Sequence, residues 1–334
     1  MHCTFHGFTM ATRSSDKLKG PHAKKKKCNS CVEVNQEMKD LVEKKFLVAL
    51  PQDFYDFWQF LCEIDEANPN NVLQPSKIRL GGPFDLLLGK SSSEDSDYLL
   101  HHRFFCDPPE FQTVIISTEE NCEEHIGYYR DDPSQEPAFL ALSHGGDTCR
   151  LLPLGDNLFA AVHSYILQAK NSSPASEKLM NNIKKVAKRK GYEIGNQTAK
   201  MVARKKKVVS KSFHTAGIVV PVDENGVGWR EISLTDSQLK KLFGSILKED
   251  ANSSKSVDEL QEIITYVQFA NDECDYGQGL ELGIDLFCYG SEKLHGYIHA
   301  VLPMAYSLLG YNAFETIILA HLNRRSRGLC NYLT

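Results

Sequence analysis

No apolar run in this 334-residue chain approaches the roughly 18 to 20 residues that a membrane-spanning helix needs. The amino-terminal stretch MHCTFHGFTMATRSS also lacks the apolar segment of a secretory signal. The ten cysteines follow no framework spacing, which is typical of free thiols in a reducing compartment rather than of disulfides. These absences predict a cytosolic or nuclear protein that works away from membranes.

Sequence motifs of familiar enzymes and cofactor sites are absent as well. The chain has no GxSxG, P-loop or HExxH sequence, and Gly277-x-Gly279 lacks the third glycine of a dinucleotide fingerprint. Cys28 and Cys31 form a single CxxC pair, and no second pair has the spacing of a zinc finger. We therefore expect no metal site and no cofactor bound by this chain.

The composition is that of a folded chain, with 42% apolar and 24% charged residues. Its length favours two domains. Residues 1–34 show no apolar periodicity and include the tetralysine at 24–27, so we predict a disordered basic tail there. We place an N-terminal α+β domain at 35–170. A helix-rich C-terminal domain, which carries the partner-binding and catalytic candidates discussed below, is predicted at 171–334.

Short strand-like runs decide the fold class. We predict strands at 104–107, 111–117, 125–130 and 139–143, separated by Pro, Asp and Gly turns. Consecutive strands without long intervening helices favour an antiparallel or mixed sheet. In the C-terminal domain two further strand-like runs, at 208–213 and 218–222, precede a series of helical stripes. The fold class is therefore α+β: a mostly antiparallel sheet with flanking helices, then a mainly helical domain with a few strands.

The middle of the chain is strongly basic. Between Lys170 and Lys211 there are thirteen Lys or Arg and two acids, although the net charge of the whole chain is −5. The candidates for nucleic-acid contact are Lys188, Arg189, Lys190, Arg204, Lys205, Lys206 and Lys207. Such clusters suit the phosphates of DNA or a nucleosome, but they are more typical of a solvated face, and at a helix end cations also suit the helix dipole.

Residues 269–285 have the opposite charge, with five carboxylates, three glycines and no basic residue. Because large apolar residues are interleaved with the acids, we expect the carboxylates to lie at the lip of a packed element, where the environment sets their pKa values. The stretch does not match the calcium-binding loop of an EF-hand that begins at Asp272, because Cys274, Tyr276 and Gly283 occupy positions where that loop needs ligands. Acid–base chemistry or recognition remains.

Within this stretch two adjacent acids, Asp272 and Glu273, stand where the preceding helical pattern ends. Neighbouring residues on a helix point about 100° apart, so these two cannot form one dyad. One of them can pair with a cation while the other is left as a general base. Arg230, beside Trp229 and after a glycine turn, is the candidate for the positioning cation. A purely structural or recognition role for these residues stays open.

Four segments resemble the histone PARylation factor family. They are residues 267–290 (VQFANDECDYGQGLELGIDLFCYG), 108–113 (PPEFQT), 218–222 with the glycine turn after it, and 302–306 (LPMAY). The resemblance extends over most of the chain from about residue 35. It departs from the family at Trp229, where the family usually has a tyrosine, so any role of that hydroxyl is lost here.

The resemblance implies an accessory protein of the nuclear poly(ADP-ribose) polymerases that respond to DNA damage. Such a protein has no transferase activity alone; it docks on the polymerase's catalytic domain, which holds NAD, and directs ADP-ribose onto serine, notably on histones. By this resemblance Glu273 is the base for the acceptor serine, Asp272 pairs with a polymerase histidine, and Arg230 pairs with a polymerase glutamate. Trp229 would contribute to the docking surface. The implied location is the nucleus, on chromosomes.

Two other classes of function remain alternatives at this point. A non-catalytic chromatin adaptor would bind DNA through the basic middle and histone tails through the acidic stretch. A free-standing hydrolase would use Glu273 on ADP-ribose conjugates without any polymerase.

Overall fold

The structure, a computed structural model, describes residues 34–146, 149–169, 173–248, 255–325, 327 and 331–334. The predicted tail, apart from Val34, lies outside these residues, and so do the tetralysine at 24–27 and the Cys28–Cys31 pair. No helix found in these ranges is long and apolar enough to cross a membrane.

An antiparallel sheet, paired in chain order, forms the centre of the N-terminal half. Its strands are β1 (Ile78–Leu80), β2 (Phe111–Ser117), β3 (His125–Tyr129), β4 (Phe139–Ser143) and β5 (Leu151–Gly155). β3 and β4 pair in register from His125 opposite Ser143 to Tyr129 opposite Phe139. The strands predicted at 111–117, 125–130 and 139–143 are therefore confirmed, and the α+β class with them. The short strands β1 and β5 were not predicted.

Three of the predicted strands are wrong. Residues 104–107 form a turn, because the Asp107 carboxylate accepts the Phe104 N–H at 3.0 Å and closes the chain on itself. The runs at 208–213 and 218–222 meet in a single bridge, Ser210 with Ile218. The amide of Phe213 goes to a helix side chain instead of a second strand. In the described part of the C-terminal half the expected strands are thus replaced by extended loops.

Helices surround the sheet and fill the C-terminal half. Within the described ranges they are α1 (Gln36–Phe46), α2 (Gln52–Ile64), α3 (Pro83–Leu87), α4 (Asp95–Leu100), α5 (Leu158–Gln168), α6 (Pro174–Lys190), α7 (Ala199–Lys205), α8 (Asp236–Lys248), α9 (Lys255–Asp272), α10 (Tyr276–Tyr289), α11 (His295–Leu308) and α12 (Asn312–Arg324). Short 3-10 turns occur at Pro69–Val72, Gln74–Ser76 and Glu292–Leu294.

The buried side chains form two large cores. The first combines one face of the sheet with α1, α2, α5 and α6, and the second is built mainly from α8 to α12. Helix α6 begins after Ser173, which caps it, and ends at Gly191 in the left-handed conformation. Its buried residues Leu179 and Ile183 pack in the first core. The boundary between residues 170 and 171 stays a prediction.

Among the cysteines that the structure describes, the expectation of free thiols holds with one exception. Of the described cysteines, those that are free are Cys106, Cys122, Cys149, Cys274 and Cys288. Cys62 is disulfide-bonded, so the expectation is wrong for this residue.

Candidate functional site

The turn between α9 and α10 exposes two of the acids selected from the sequence. Helix α9 ends at Asp272, and the chain reverses through Cys274, whose φ of 67° is left-handed. The Asp275 N–H then donates to the Ala270 carbonyl at 2.8 Å, which closes the turn. Asp272 and Glu273 consequently stand at the solvent-exposed end of α9.

A glycine-containing loop brings Trp229 and Arg230 to this turn. Gly228 has a φ of +136°, and a Cβ there would lie 2.1 Å from the Pro221 carbonyl oxygen, so the loop requires glycine. The Gly228 N–H donates to Asp275 Oδ1 at 2.8 Å. In return, the Gly277 N–H donates to the Gly228 carbonyl at 2.9 Å. The loop is thereby fixed on the first turn of α10.

Arg230 forms the centre of the exposed site. Its Nη2 bonds Glu273 Oε2 and lies 2.8 Å from Asp275 Oδ2. The hydrogen bond that Arg230 donates to Glu273 raises the pKa of Arg230 above its usual value, so the guanidinium stays charged. The side chains of Arg230 and Glu273 are 46% and 61% exposed, so a partner can reach both. Asp272 makes no ion pair with any described residue, which leaves its carboxylate open to one.

Trp229 is half-buried and packs against the second core. Its indole Nε1 donates to Glu281 Oε2 at 2.7 Å. The indole therefore supplies a hydrogen-bond donor, and that donor points into the molecule. Sequence reasoning placed Glu281 at the acidic lip and missed its burial, although the i, i+4 spacing of Glu281 and Asp285 on an apolar helix is the signal of a shared buried face.

The predicted acidic lip is correct for Asp272 and Glu273 and wrong for the other three acids. Asp275, Glu281 and Asp285 are buried. Asp285 accepts hydrogen bonds from Ser212 Oγ at 2.6 Å and from the Phe213 N–H at 2.9 Å. Burial raises the pKa of Asp285 to about 7, and it also raises the pKa of Glu281. These carboxylates hold loops in place.

The basic candidates divide into structural and free residues. Arg204 binds Asp131 with two nitrogens, at 2.8 and 2.6 Å, and also donates to backbone carbonyls, so its guanidinium is used inside the fold. Lys190 lies 2.9 Å from Asp56, and Arg189 makes a loose exposed pair with Glu63 at 3.7 Å. The candidates that are exposed and without an ion pair to any described residue are Lys188, Lys205, Lys206 and Lys207.

One group in the described ranges has ligand types suited to a metal: Asp85, His101 and His102, all buried. Its donor atoms are already engaged. His101 Nε2 lies 2.7 Å from Asp85, and His102 Nδ1 accepts the Gly82 N–H at 2.8 Å. The Lys90 ammonium lies 2.7 Å from Asp85 Oδ1, and this cation opposes a metal ion. We assign no metal to this group.

Fold and geometry together define an α+β protein whose candidate site lies at the surface, on one helix end and one loop. Comparison with known proteins extends this definition. A family model described as Histone PARylation factor 1 matches residues 37–325.

Three relatives illustrate the match. Histone PARylation factor 1 of Bos taurus is 41% identical over 326 residues, which cover 92% of this chain and 94% of the relative. The Danio rerio protein of the same name is 42% identical over 305 residues, with 88% and 87% covered. A Homo sapiens relative, "Putative histone PARylation factor 1-like", is 40% identical, with 93% and 94% covered. The chain belongs to the histone PARylation factor 1 family, and the resemblance found in the sequence is confirmed.

Proposed function

We propose that this chain is an accessory factor in the PARylation of histones, acting in the nucleus on chromosomes. The names of its relatives attach histone PARylation to the family. The observation that carries the finer proposal is the position of Glu273, an accessible carboxylate at the end of α9 beside Arg230. The partner we propose is the catalytic domain of a poly(ADP-ribose) polymerase activated by DNA damage. That domain holds NAD, and this chain supplies no cofactor.

The exposure of Glu273 supports a site shared between two proteins. Its side chain is 61% exposed, so water surrounds the carboxylate in the free chain. Electrostatic and proton-transfer effects become strong where water is excluded. A partner surface placed over the end of α9 would exclude that water and bring the acceptor serine to the carboxylate. The chain would then contribute half of an active site.

The chemistry requires a base at this point. A serine hydroxyl is a weak nucleophile, and a positioned carboxylate contributes roughly 10²- to 10⁴-fold by removing its proton. In the proposed reaction Glu273 takes the proton from the serine Oγ. The oxygen then bonds to the ribose carbon that carries nicotinamide in the polymerase-bound NAD, and the bond from that carbon to nicotinamide breaks.

The ion pairs of the free chain suggest how docking prepares this base. Arg230 holds Glu273 in the free chain, and a proton acceptor works best when no cation occupies its lone pairs. A carboxylate of the polymerase that pairs with Arg230 would compete with this contact and release Glu273. Asp275, 2.8 Å from Arg230, keeps the guanidinium near its place. Asp272 has no competing pair among the described residues, so it is available for a partner histidine.

Replacing Arg230 with alanine tests the docking role. We expect Arg230→Ala to weaken binding of the polymerase catalytic domain at least tenfold, because the interface loses a charge pair that docking desolvates. Arg189→Ala is a matched control, since Arg189 is also exposed and makes a loose pair. Calorimetry or fluorescence anisotropy measures both affinities. Equal affinities for the Arg230 variant and the unmodified chain would contradict the interface role.

The free lysines favour one second candidate function. Lys188 and residues 205–207 could contact DNA phosphates, as a chromatin adaptor would, while the acids contact histone tails. DNA binding by the free chain that weakens steeply with salt would support this function. The adaptor function and the catalytic role can coexist in one chain. If serine modification does not depend on Glu273, the adaptor function is the better account of this chain.

A further inference from the structure

Glu281 occupies a junction between three parts of the second half of the chain. It lies on α10 and is 7% exposed. One carboxylate oxygen, Oε2, accepts the Trp229 indole N–H at 2.7 Å. The other, Oε1, accepts the Ser210 hydroxyl at 2.7 Å. Both oxygens of a buried carboxylate are thus satisfied by groups on separate loops.

The contacts of the Arg230 loop divide between backbone and side chain. Its backbone is held at Gly228 by Asp275 and Gly277, and the Glu231 carbonyl accepts the Gln278 side-chain N–H at 3.0 Å. These contacts hold the backbone, and core packing alone leaves the indole nitrogen of Trp229 without a defined orientation. The hydrogen bond to Glu281 fixes the indole, which is the neighbour of the docking arginine.

We propose that Glu281 is a positioning residue for partner docking: it fixes the Trp229 indole and through it the surface on which Arg230 is presented. This inference rests on the proposed function, because docking is its readout. A hydrogen bond to a charged acceptor contributes more free energy than one between neutral groups. Part of that energy orders the docking surface before the partner arrives, which lowers the cost of binding.

Three variants separate this role from general stability. Glu281→Met keeps the length of the side chain and removes both acceptors. Glu281→Gln keeps an acceptor for the indole and a donor for Ser210. Asp285→Asn is the matched control, because Asp285 is a buried carboxylate one turn further along α10 and bonds Ser212 and Phe213, neither of which belongs to the Arg230 loop.

The first measurement uses the free chain. The sequence contains two tryptophans, Trp58 and Trp229, so the emission difference between the unmodified chain and Trp229→Phe isolates Trp229. We expect Glu281→Met to shift this emission and raise its accessibility to acrylamide, whereas Glu281→Gln and Asp285→Asn leave it close to the original. An unchanged Trp229 signal in Glu281→Met would overturn the proposal.

The second measurement is affinity for the polymerase catalytic domain. Glu281→Met should weaken it about tenfold, the equivalent of losing about 1.4 kcal/mol, and Glu281→Gln should restore it to within about threefold. The double variant Trp229→Phe with Glu281→Met should bind the polymerase no more weakly than the weaker-binding of the two single variants. The reason is that each substitution breaks the same hydrogen bond between Trp229 and Glu281. Additive losses, or an equal loss in Asp285→Asn, would overturn the positioning role.

The results distinguish failure of the proposed function from failure of the positioning role of Glu281. If the unmodified chain does not bind the polymerase, the proposed function fails, and the docking role of Glu281 fails with it. If the chain binds and modifies serine while Glu281→Met changes emission but not affinity, the proposed function stands and the positioning role is wrong.

Discussion

Replacing Glu273 with glutamine separates the proposed chemistry from docking. The substitution keeps the size of the side chain and an oxygen that can accept from Arg230, and it removes the basic carboxylate. Asp275 still lies 2.8 Å from the guanidinium, so Arg230 stays in place. Exposed ion pairs contribute little to stability or affinity. We therefore expect polymerase affinity to change by less than about threefold, while the rate of serine modification falls by roughly 10²- to 10⁴-fold.

The assay measures these two quantities independently. A titration of the chain against the polymerase gives affinity, and single-turnover labelling of a histone peptide at saturating chain gives the rate. Glu262→Gln is the matched control, since Glu262 is an exposed glutamate on the same helix that bonds Tyr266. A Glu273→Gln variant that supports the original rate at saturation would refute the base assignment. A rate loss explained entirely by weaker binding would refute it as well.

Two further predictions concern other parts of the chain. If the free lysines contact DNA, replacing residues 205–207 with glutamine should reduce the slope of log affinity against log salt by about 2 to 3, and the exposed Lys44→Gln should not; an unchanged slope excludes these contacts. The contribution of buried Asp285 to stability should fall as pH rises from about 4 to 7, because this residue, with its pKa raised to about 7, keeps a proton that the unfolded chain loses near pH 4. Asp285→Asn should remove up to about 4 kcal/mol of that fall in the free energy of unfolding, as measured by denaturant titration at both pH values; an equal fall in the variant would contradict the assignment.

The central strands were predictable because local pattern and tertiary structure agree there. Strands β2, β3 and β4 are apolar runs between turn residues, and each is buried along its whole length. β5 contains Pro153 and an exposed Leu152, so its sequence lacks that pattern. Residues 208–213 have a strand-like sequence, yet beyond the bridge to Ile218 the Ser210 hydroxyl bonds Glu281 and the Phe213 N–H bonds Asp285. A distant helix decided their conformation, and local propensity contains no information about it.

The candidate site was predictable in its members and not in its internal contacts. The exposed acids Asp272 and Glu273 could be identified because a helical pattern stops there. The ion pair between Arg230 and Glu273 joins residues 43 positions apart, which no spacing rule connects. Arg204 looked like a surface cation because its neighbours are lysines, but Asp131 and two carbonyls enclose it. A run of basic residues in the sequence predicts a basic surface. It does not show which side chains of the run point into the fold.

The most direct test of the account is a reconstituted reaction containing the polymerase, activating DNA, NAD and a histone peptide, with and without this chain. Mass spectrometry identifies the type of residue that carries ADP-ribose. The account predicts modification of serine when the unmodified chain is present and its loss with Glu273→Gln. Serine modification of equal extent without the chain, or with Glu273→Gln, would contradict the claim that Glu273 completes a shared active site.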